Sequence, residues 1–94
     1  MRQNPNTPAS FRLKTRLNDL GSRAGVFTPE RLAIYHELVQ VGEGVVALEN
    51  LCMEAADLNV VLALDIATEL QALCDSLKVD PKYWTRLVPP TPSN

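Results

Sequence analysis

The sequence predicts an all-α fold: a small bundle of four helices followed by a short C-terminal helix. Apolar residues recur at spacings of three and four, and no stretch shows the alternation and flanking turn signals of a strand. Two segments, FTPERL and VDPKYW, have the pattern of a capped helix start. The 94 residues, 46% of them hydrophobic, suffice for one core, so we expect a single soluble domain.

The domain is predicted to span residues 10–88. Residues 1–9 and 89–94 are rich in proline and polar residues and lack apolar periodicity. Segments of this composition bury too little apolar surface to become ordered, so we expect both ends to be disordered.

Two helices account for the first half of the domain. The first is predicted to begin near Ser10 and to end at Gly21, which suits a left-handed cap. Its apolar face consists of Leu13, Leu17 and Leu20. The second is predicted to follow the capping residue Thr28, with Pro29 at its first position, and to end at Val41 before a glycine. Its predicted core residues are Leu32, Tyr35, Leu38 and Val39.

The third helix is predicted from about Glu43 to Leu58. Its core face is the stripe formed by Val45, Leu48, Leu51, Cys52 and Ala55. On the opposite side, four polar side chains fall within about 60° of one another around the helix axis. We call these four residues the acidic ridge: Glu43, Asn50, Glu54 and Asp57.

The last part of the domain contains two further predicted helices. After a link at residues 59–63, the fourth helix has a core face formed by Ile66, Leu70, Leu73 and Leu77. Its polar positions carry Asp65, Glu69 and Asp75. A short fifth helix is predicted to start with Asp80 as cap and Pro81 at its first position, and to end near Leu87.

Charge is unevenly distributed along the chain, although the net charge is only −2. Residues 1–31 carry six Lys or Arg against two acids, residues 32–77 carry eight acids and no Lys or Arg, and residues 78–94 carry three bases against one acid. An anionic surface repels nucleic acid and acidic membranes and attracts basic proteins. The acidic block therefore predicts a basic protein partner that supplies the missing counter-ions.

The basic first helix has more than one interpretation. Its cations, together with one residue beyond it, are Arg12, Lys14, Arg16 and Arg23. They could contact phosphate, but four cations without interleaved aromatic residues form a weak nucleic-acid signal. Pairing with the acidic helices, or exposure to solvent, explains them more simply, so we do not expect nucleic-acid binding.

No pattern in the sequence indicates an enzyme. His36 is the single histidine and has no partner at catalytic spacing. Cys52 and Cys74 lie in apolar helical registers, where we expect buried reduced thiols. Because metal, phosphate-loop and calcium-loop patterns are absent, we expect neither metal nor cofactor. The absence of a membrane span or signal peptide from the sequence predicts a cytoplasmic protein.

Three motifs follow one another in the second half of the chain. GExxxALExLC lies at residues 42–52, aliphatic residues follow at Val60 and Leu62, and LxxDPxxW lies at residues 77–84. With the spaced aliphatics of the fourth helix, this order resembles the Maf-type immunity proteins of bacterial polymorphic toxin and contact-dependent growth inhibition systems. The family pattern has a proline and a capping Ser or Thr where this chain has Val61 and Ala63. We therefore expect an irregular start of the fourth helix.

The resemblance implies an immunity protein that binds and neutralises a cognate toxin by stoichiometric blocking. Toxins of such systems are often nucleases with basic clefts, which agrees with the partner predicted from charge. The candidate toxin-binding residues are Glu43, Glu49, Asn50, Glu54, Asp57, Asp65, Glu69 and Asp75. Glu43 and Glu49 also belong to the family pattern, so a structural role such as capping stays open for them. The alternative function is a helical adaptor or regulator that docks another protein through an apolar groove.

Overall fold

The computed structural model describes residues 8–88, with side chains from residue 10 onward. The helices are α1 (Pro8–Ala24), α2 (Pro29–Gln40), α3 (Gly44–Leu58) and α4 (Leu64–Leu77), followed by a 3₁₀ turn (Pro81–Tyr83). Within this part of the chain no strand occurs, and the predicted all-α class is confirmed. The disorder predicted for residues 1–7 and 89–94 lies outside the described residues.

The core lies where α1 and α3 meet the other helices. α1 packs against α2, α3 and α4, and α3 also contacts α2, α4 and the 3₁₀ turn. The largest fully buried side chains come from all four helices: Leu17, Leu20, Tyr35, Val39, Leu48, Leu51, Cys52, Leu70, Leu73 and Cys74. The two cysteines are free thiols, as predicted. None of the helices formed by residues 8–88 has the length and apolarity needed to cross a lipid bilayer.

α1 is longer than predicted at both ends. It begins at Pro8, so two residues assigned to the disordered N-terminal segment are helical. It ends at Ala24, and Gly25, with a φ of +70°, supplies the left-handed turn after it. Gly21 is a buried residue inside the helix, and a Cβ there would lie within 2.6 Å of Tyr35 Cδ1. The prediction that Gly21 ends the helix is wrong, because this glycine instead allows the Tyr35 ring to approach the α1 backbone.

The predicted start of α2 is confirmed in detail. Thr28 Oγ1 accepts a hydrogen bond from the Arg31 backbone N–H at 3.2 Å, and Pro29 occupies the first helical position. Gly42 has a φ of +87° and follows the helix end closely, as predicted. Of the four predicted core residues, Tyr35 and Val39 are buried, and the two leucines are half-buried at the edge of the core.

The predicted cores of α3 and α4 are largely confirmed. In α3 the exception is Val45, which is 37% exposed in the first turn, while Ala47 is fully buried. In α4 the exception is Leu77, which is half-buried. The N-cap of α4, Ala63, makes no side-chain hydrogen bond. The irregular start expected there is nevertheless absent, because Ala67 N donates to Ala63 O at 2.8 Å and closes the first turn.

The predicted short fifth helix is a single 3₁₀ turn, and it ends at Tyr83 instead of near Leu87. Asp80 Oδ1 caps it by accepting from Lys82 N at 3.0 Å, as predicted from the VDPKYW pattern. The chain then continues as turns, with Leu87 N donating to Trp84 O at 3.0 Å. Bonds between residues three apart place their side chains on the same side. Both Trp84 and Leu87 are buried in this arrangement.

Candidate functional site

A groove of about 450 Å³ lies between α2 and α3 and is called here the α2–α3 groove. Residues spaced by three or four lie on one side of a helix, and both helices use this spacing along the groove. The α2 side consists of Arg31, Ile34 and Tyr35, together with Phe27, which precedes the N-cap residue. The α3 side consists of Asn50, Met53, Glu54 and Asp57.

Three of the four acidic-ridge residues line this groove. Asn50, Glu54 and Asp57 project from successive turns of α3. Glu43 does not join them, because it is the N-cap residue of α3, about 10 Å along the axis from Asn50. The Glu43 side chain is exposed and makes no capping hydrogen bond, so the capping role left open for it is not observed.

The α2–α3 groove contains an ion pair within the chain. Arg31, 60% exposed, donates to the carboxylate of Glu54, which is 20% exposed. The expectation that this acid finds its counter-ion on another protein is therefore wrong. The two partners are 23 positions apart in the sequence, and the packing of α2 on α3 brings them together. Asp57 is exposed and takes part in none of the salt bridges formed by the described residues.

Two further candidate acids are paired with α1. Glu69 accepts two hydrogen bonds from Arg16, at 2.7 and 3.0 Å, and this hydrogen bonding lowers the pKa of Glu69. Asp65 accepts from Arg23 at 2.5 Å. Intramolecular pairing, one of the interpretations left open for the basic first helix, is thus confirmed for these two arginines. Neither acid lines the α2–α3 groove.

The remaining two candidates lie apart from the groove. Glu49 is half-buried on α3, and Asp75 is exposed on α4. Among residues 10–88, no salt bridge includes either of them. The structure therefore gathers three of the eight candidate residues into one groove and distributes the other five over several surfaces.

The apolar part of the groove was missed from the sequence. Ile34 is 54% exposed and Met53 is 47% exposed, while Phe27 and Tyr35 pack ring against ring with centroids 5.1 Å apart. A signal was present, since Ile34 and Met53 are large apolar residues outside the predicted core stripes of their helices. Two such positions on consecutive helices indicate a partly exposed apolar surface.

A chain of polar contacts connects α1 and α2 away from the groove. His36 Nδ1 lies 2.7 Å from Asn18 Oδ1, and His36 Nε2 lies 3.4 Å from Ser22 Oγ. Ser22, His36 and Asn18 are thus connected in the order of a nucleophile, a base and an orienting residue. However, Ser22 lies within α1, where backbone N–H groups bond to helix carbonyls and cannot stabilise an oxyanion. We interpret these contacts as attaching α2 to α1.

The buried thiols and the acids do not form a metal site. Hydrogen bonding to Cys52 and burial raise the pKa of Cys74, which keeps this thiol uncharged. In the described part of the chain, no group of three or more His, Cys, Asp or Glu side chains is arranged to hold a metal ion.

Comparison with known proteins yields no relative: no protein-family model, curated protein or solved structure matches the chain. The resemblance of residues 42–84 to Maf-type immunity proteins stays a prediction from motifs. Four residues of the GExxxALExLC motif belong to the core: Ala47, Leu48, Leu51 and Cys52. Asn50 occupies an unspecified position of the motif, and Glu54 and Asp57 lie after its end at Cys52; all three line the groove.

Proposed function

We propose that the protein is an immunity protein that binds a basic toxin domain through the α2–α3 groove. The observation that carries the proposal is the convergence of Asn50, Glu54 and Asp57 with two exposed apolar residues, Ile34 and Met53. The motif order from residue 42 to residue 84 supports the immunity class.

The chemistry of the groove fits a protein ligand. Covering Ile34 and Met53 removes apolar surface from water, and methionine and aromatic side chains are enriched in protein interfaces. Asp57 has no salt-bridge partner among the described residues and can attract a Lys or Arg of the bound protein. Glu54 contributes less net charge, because Arg31 already neutralises it.

Binding at such a groove neutralises a toxin without any reaction carried out by this chain. A nuclease must hold phosphate with cations, so an acidic protein surface competes for the same cations. We propose that the toxin is a basic nuclease domain and that neutralisation is stoichiometric.

A helical adaptor is the second candidate function. Two observations favour it: the groove is partly apolar, and one of its two carboxylates is already paired. An adaptor of this kind would bind through Ile34 and Met53, and its affinity would change little with salt concentration. An immunity protein that relies on Asp57 would lose affinity as salt rises.

The proposal predicts that a neighbouring open reading frame encodes a secreted protein ending in a small basic domain, called here the candidate toxin domain, and the test uses that domain. We expect the purified proteins to form a one-to-one complex in size-exclusion chromatography with light scattering. Toxin activity should fall linearly as this protein is added and should reach zero when the two proteins are equimolar. A toxin that stays fully active in excess of this protein contradicts the proposal.

A further inference from the structure

A second, smaller groove lies on the other side of Met53. It has a volume of about 120 Å³ and is called here the C-terminal groove. Its lining residues come from α3 and from the segment after α4: Cys52, Met53, Ala56, Lys82, Tyr83, Arg86 and Leu87. Met53 lines both grooves and is 47% exposed, so it forms an apolar crest between them.

The two grooves carry opposite charge. In the C-terminal groove, Lys82 and Arg86 are exposed, and the described residues form no salt bridge with either. Lys82 Nζ lies 5.3 Å from the centroid of the Tyr83 ring, a neutral partner. In the α2–α3 groove, the charges of Arg31 and Glu54 cancel each other, and Asp57 leaves a net negative charge. The surface around Met53 therefore has an acidic side, an apolar centre and a basic side.

We propose that this surface binds a second copy of the chain in a two-fold symmetric dimer. The symmetry axis lies in the interface beside Met53, at right angles to the line that joins the two grooves. This operation places the acidic groove of each copy against the basic groove of the other. Arg86 of one copy then enters the α2–α3 groove of its partner and meets Asp57, and Met53 packs on Met53.

Three features favour a second copy as the occupant. The charge pattern is self-complementary, so one contact between Asp57 and Arg86 is formed twice in the dimer. The aromatic ring of Phe27 lines the acidic groove and can stack with a guanidinium group beside the carboxylate. The exposed Met53 and Ile34 become covered together, which supplies apolar burial at the centre.

The dimer is independent of the proposed function, although both use the α2–α3 groove. A toxin bound in that groove and a second copy would exclude each other. The dimer is therefore tested on the protein alone, and the absence of a dimer leaves the toxin-binding proposal intact.

Sedimentation equilibrium between about 1 µM and 1 mM protein tests the dimer. We expect the mass to rise from 10.4 kDa towards twice that value, and the midpoint to move to higher concentration as salt rises. Asp57→Lys and Arg86→Glu should each raise the dimer dissociation constant at least about tenfold. The double variant D57K/R86E should restore the dimer, because the exchanged charges meet again across the axis.

Two further variants test the interface: one is a charge control outside it, and the other is a substitution at its centre. Asp75→Lys changes the net charge by the same amount as Asp57→Lys, but it lies on α4, outside both grooves. It should leave the dissociation constant within about twofold of the parent value. Met53→Glu, at an exposed position, should abolish the dimer while the circular dichroism spectrum is kept. A monomer throughout the range overturns the proposal, as does a dimer that persists in D57K and in R86E.

Discussion

At the scale of single residues, Gly21 and Tyr35 determine how α1 and α2 fit together. The Tyr35 ring is fully buried against the α1 backbone at Gly21, and its hydroxyl donates to Leu17 O at 2.6 Å. Burial raises the pKa of Tyr35, so the hydroxyl keeps the proton it donates. A side chain at position 21 would occupy the space of the ring.

Gly21→Ala is therefore expected to destabilise the protein, although Ala for Gly within a helix usually stabilises by about 0.5–1 kcal/mol. The new methyl group overlaps the Tyr35 ring, and overpacking of this kind costs about 1–3 kcal/mol. Urea denaturation of the variant measures the loss. Thr15→Ala, at an exposed position in the same helix, should change stability by less than about 0.5 kcal/mol. A G21A protein as stable as the parent would show that the ring does not pack there.

The ion pair between Arg16 and Glu69 predicts a pH dependence of stability. Because hydrogen bonding to Arg16 lowers the folded-state pKa of Glu69, the pair stabilises above the unfolded Glu pKa of about 4.3. The ion pair's contribution to stability is lost as pH falls through the lowered folded-state pKa of Glu69. With both groups partly exposed, Glu69→Gln should cost about 0.5–1 kcal/mol at neutral pH.

Denaturation of the parent and E69Q from about pH 7 down to about pH 3 measures this difference. The two stabilities should converge at the acidic end, because the protonated Glu69 no longer pairs. Asp75→Asn is the matched control, since its carboxylate lies outside every salt bridge of the described residues. A constant difference between E69Q and the parent across the whole range would contradict the role given to this pair.

The pairing of charges shows where sequence reasoning stops. Composition predicted an anionic surface on the third and fourth helices, and Asp57 and Asp75 are exposed there. The arginine partners of Glu54, Asp65 and Glu69 lie 23, 42 and 53 residues earlier in the chain. Such pairs depend on which faces of different helices contact one another. Helical periodicity shows which face of a helix is apolar, but it does not show which other helix that face contacts.

At the scale of the helices, a cap predicts the start of an element better than a glycine predicts its end. The predicted starts at Thr28-Pro29 and Asp80-Pro81 are correct because the side-chain acceptor and the fixed proline φ both act locally. The predicted stop at Gly21 is wrong, since glycine serves equally where a ring approaches the backbone. The cap and the proline at residues 80–81 do not determine whether the turn that follows is 3₁₀ or α-helical.

The N-caps of α2 and α4 allow a reciprocal test. Thr28 (φ −66°, ψ 161°) and Ala63 (φ −58°, ψ 149°) have nearly the same backbone conformation, but only threonine supplies a capping oxygen. Thr28→Ala should therefore cost about 1 kcal/mol, and Ala63→Ser should stabilise by about 0.5–1 kcal/mol. Thermal unfolding of both variants checks this. A destabilised A63S protein would mean that α4 does not start at Leu64.

At the scale of the whole molecule, the packing of the helices decides which acids remain available to a partner. α1 lies against α4 and neutralises Asp65 and Glu69, while Arg31 on α2 neutralises Glu54. The groove that α2 and α3 form keeps Asp57 beside exposed apolar side chains. Asp57 is therefore the residue at which charge and apolar surface coincide.

The affinity of the D57K variant for the candidate toxin domain tests the central claim most directly. Asp57 is preferred to Glu54, because a lysine at position 54 would also repel Arg31 within the fold. We expect D57K to weaken the complex more than about tenfold in isothermal titration calorimetry, and D75K to weaken it less than about threefold. A D57K protein that binds the toxin domain as tightly as the parent would contradict the assignment of the α2–α3 groove.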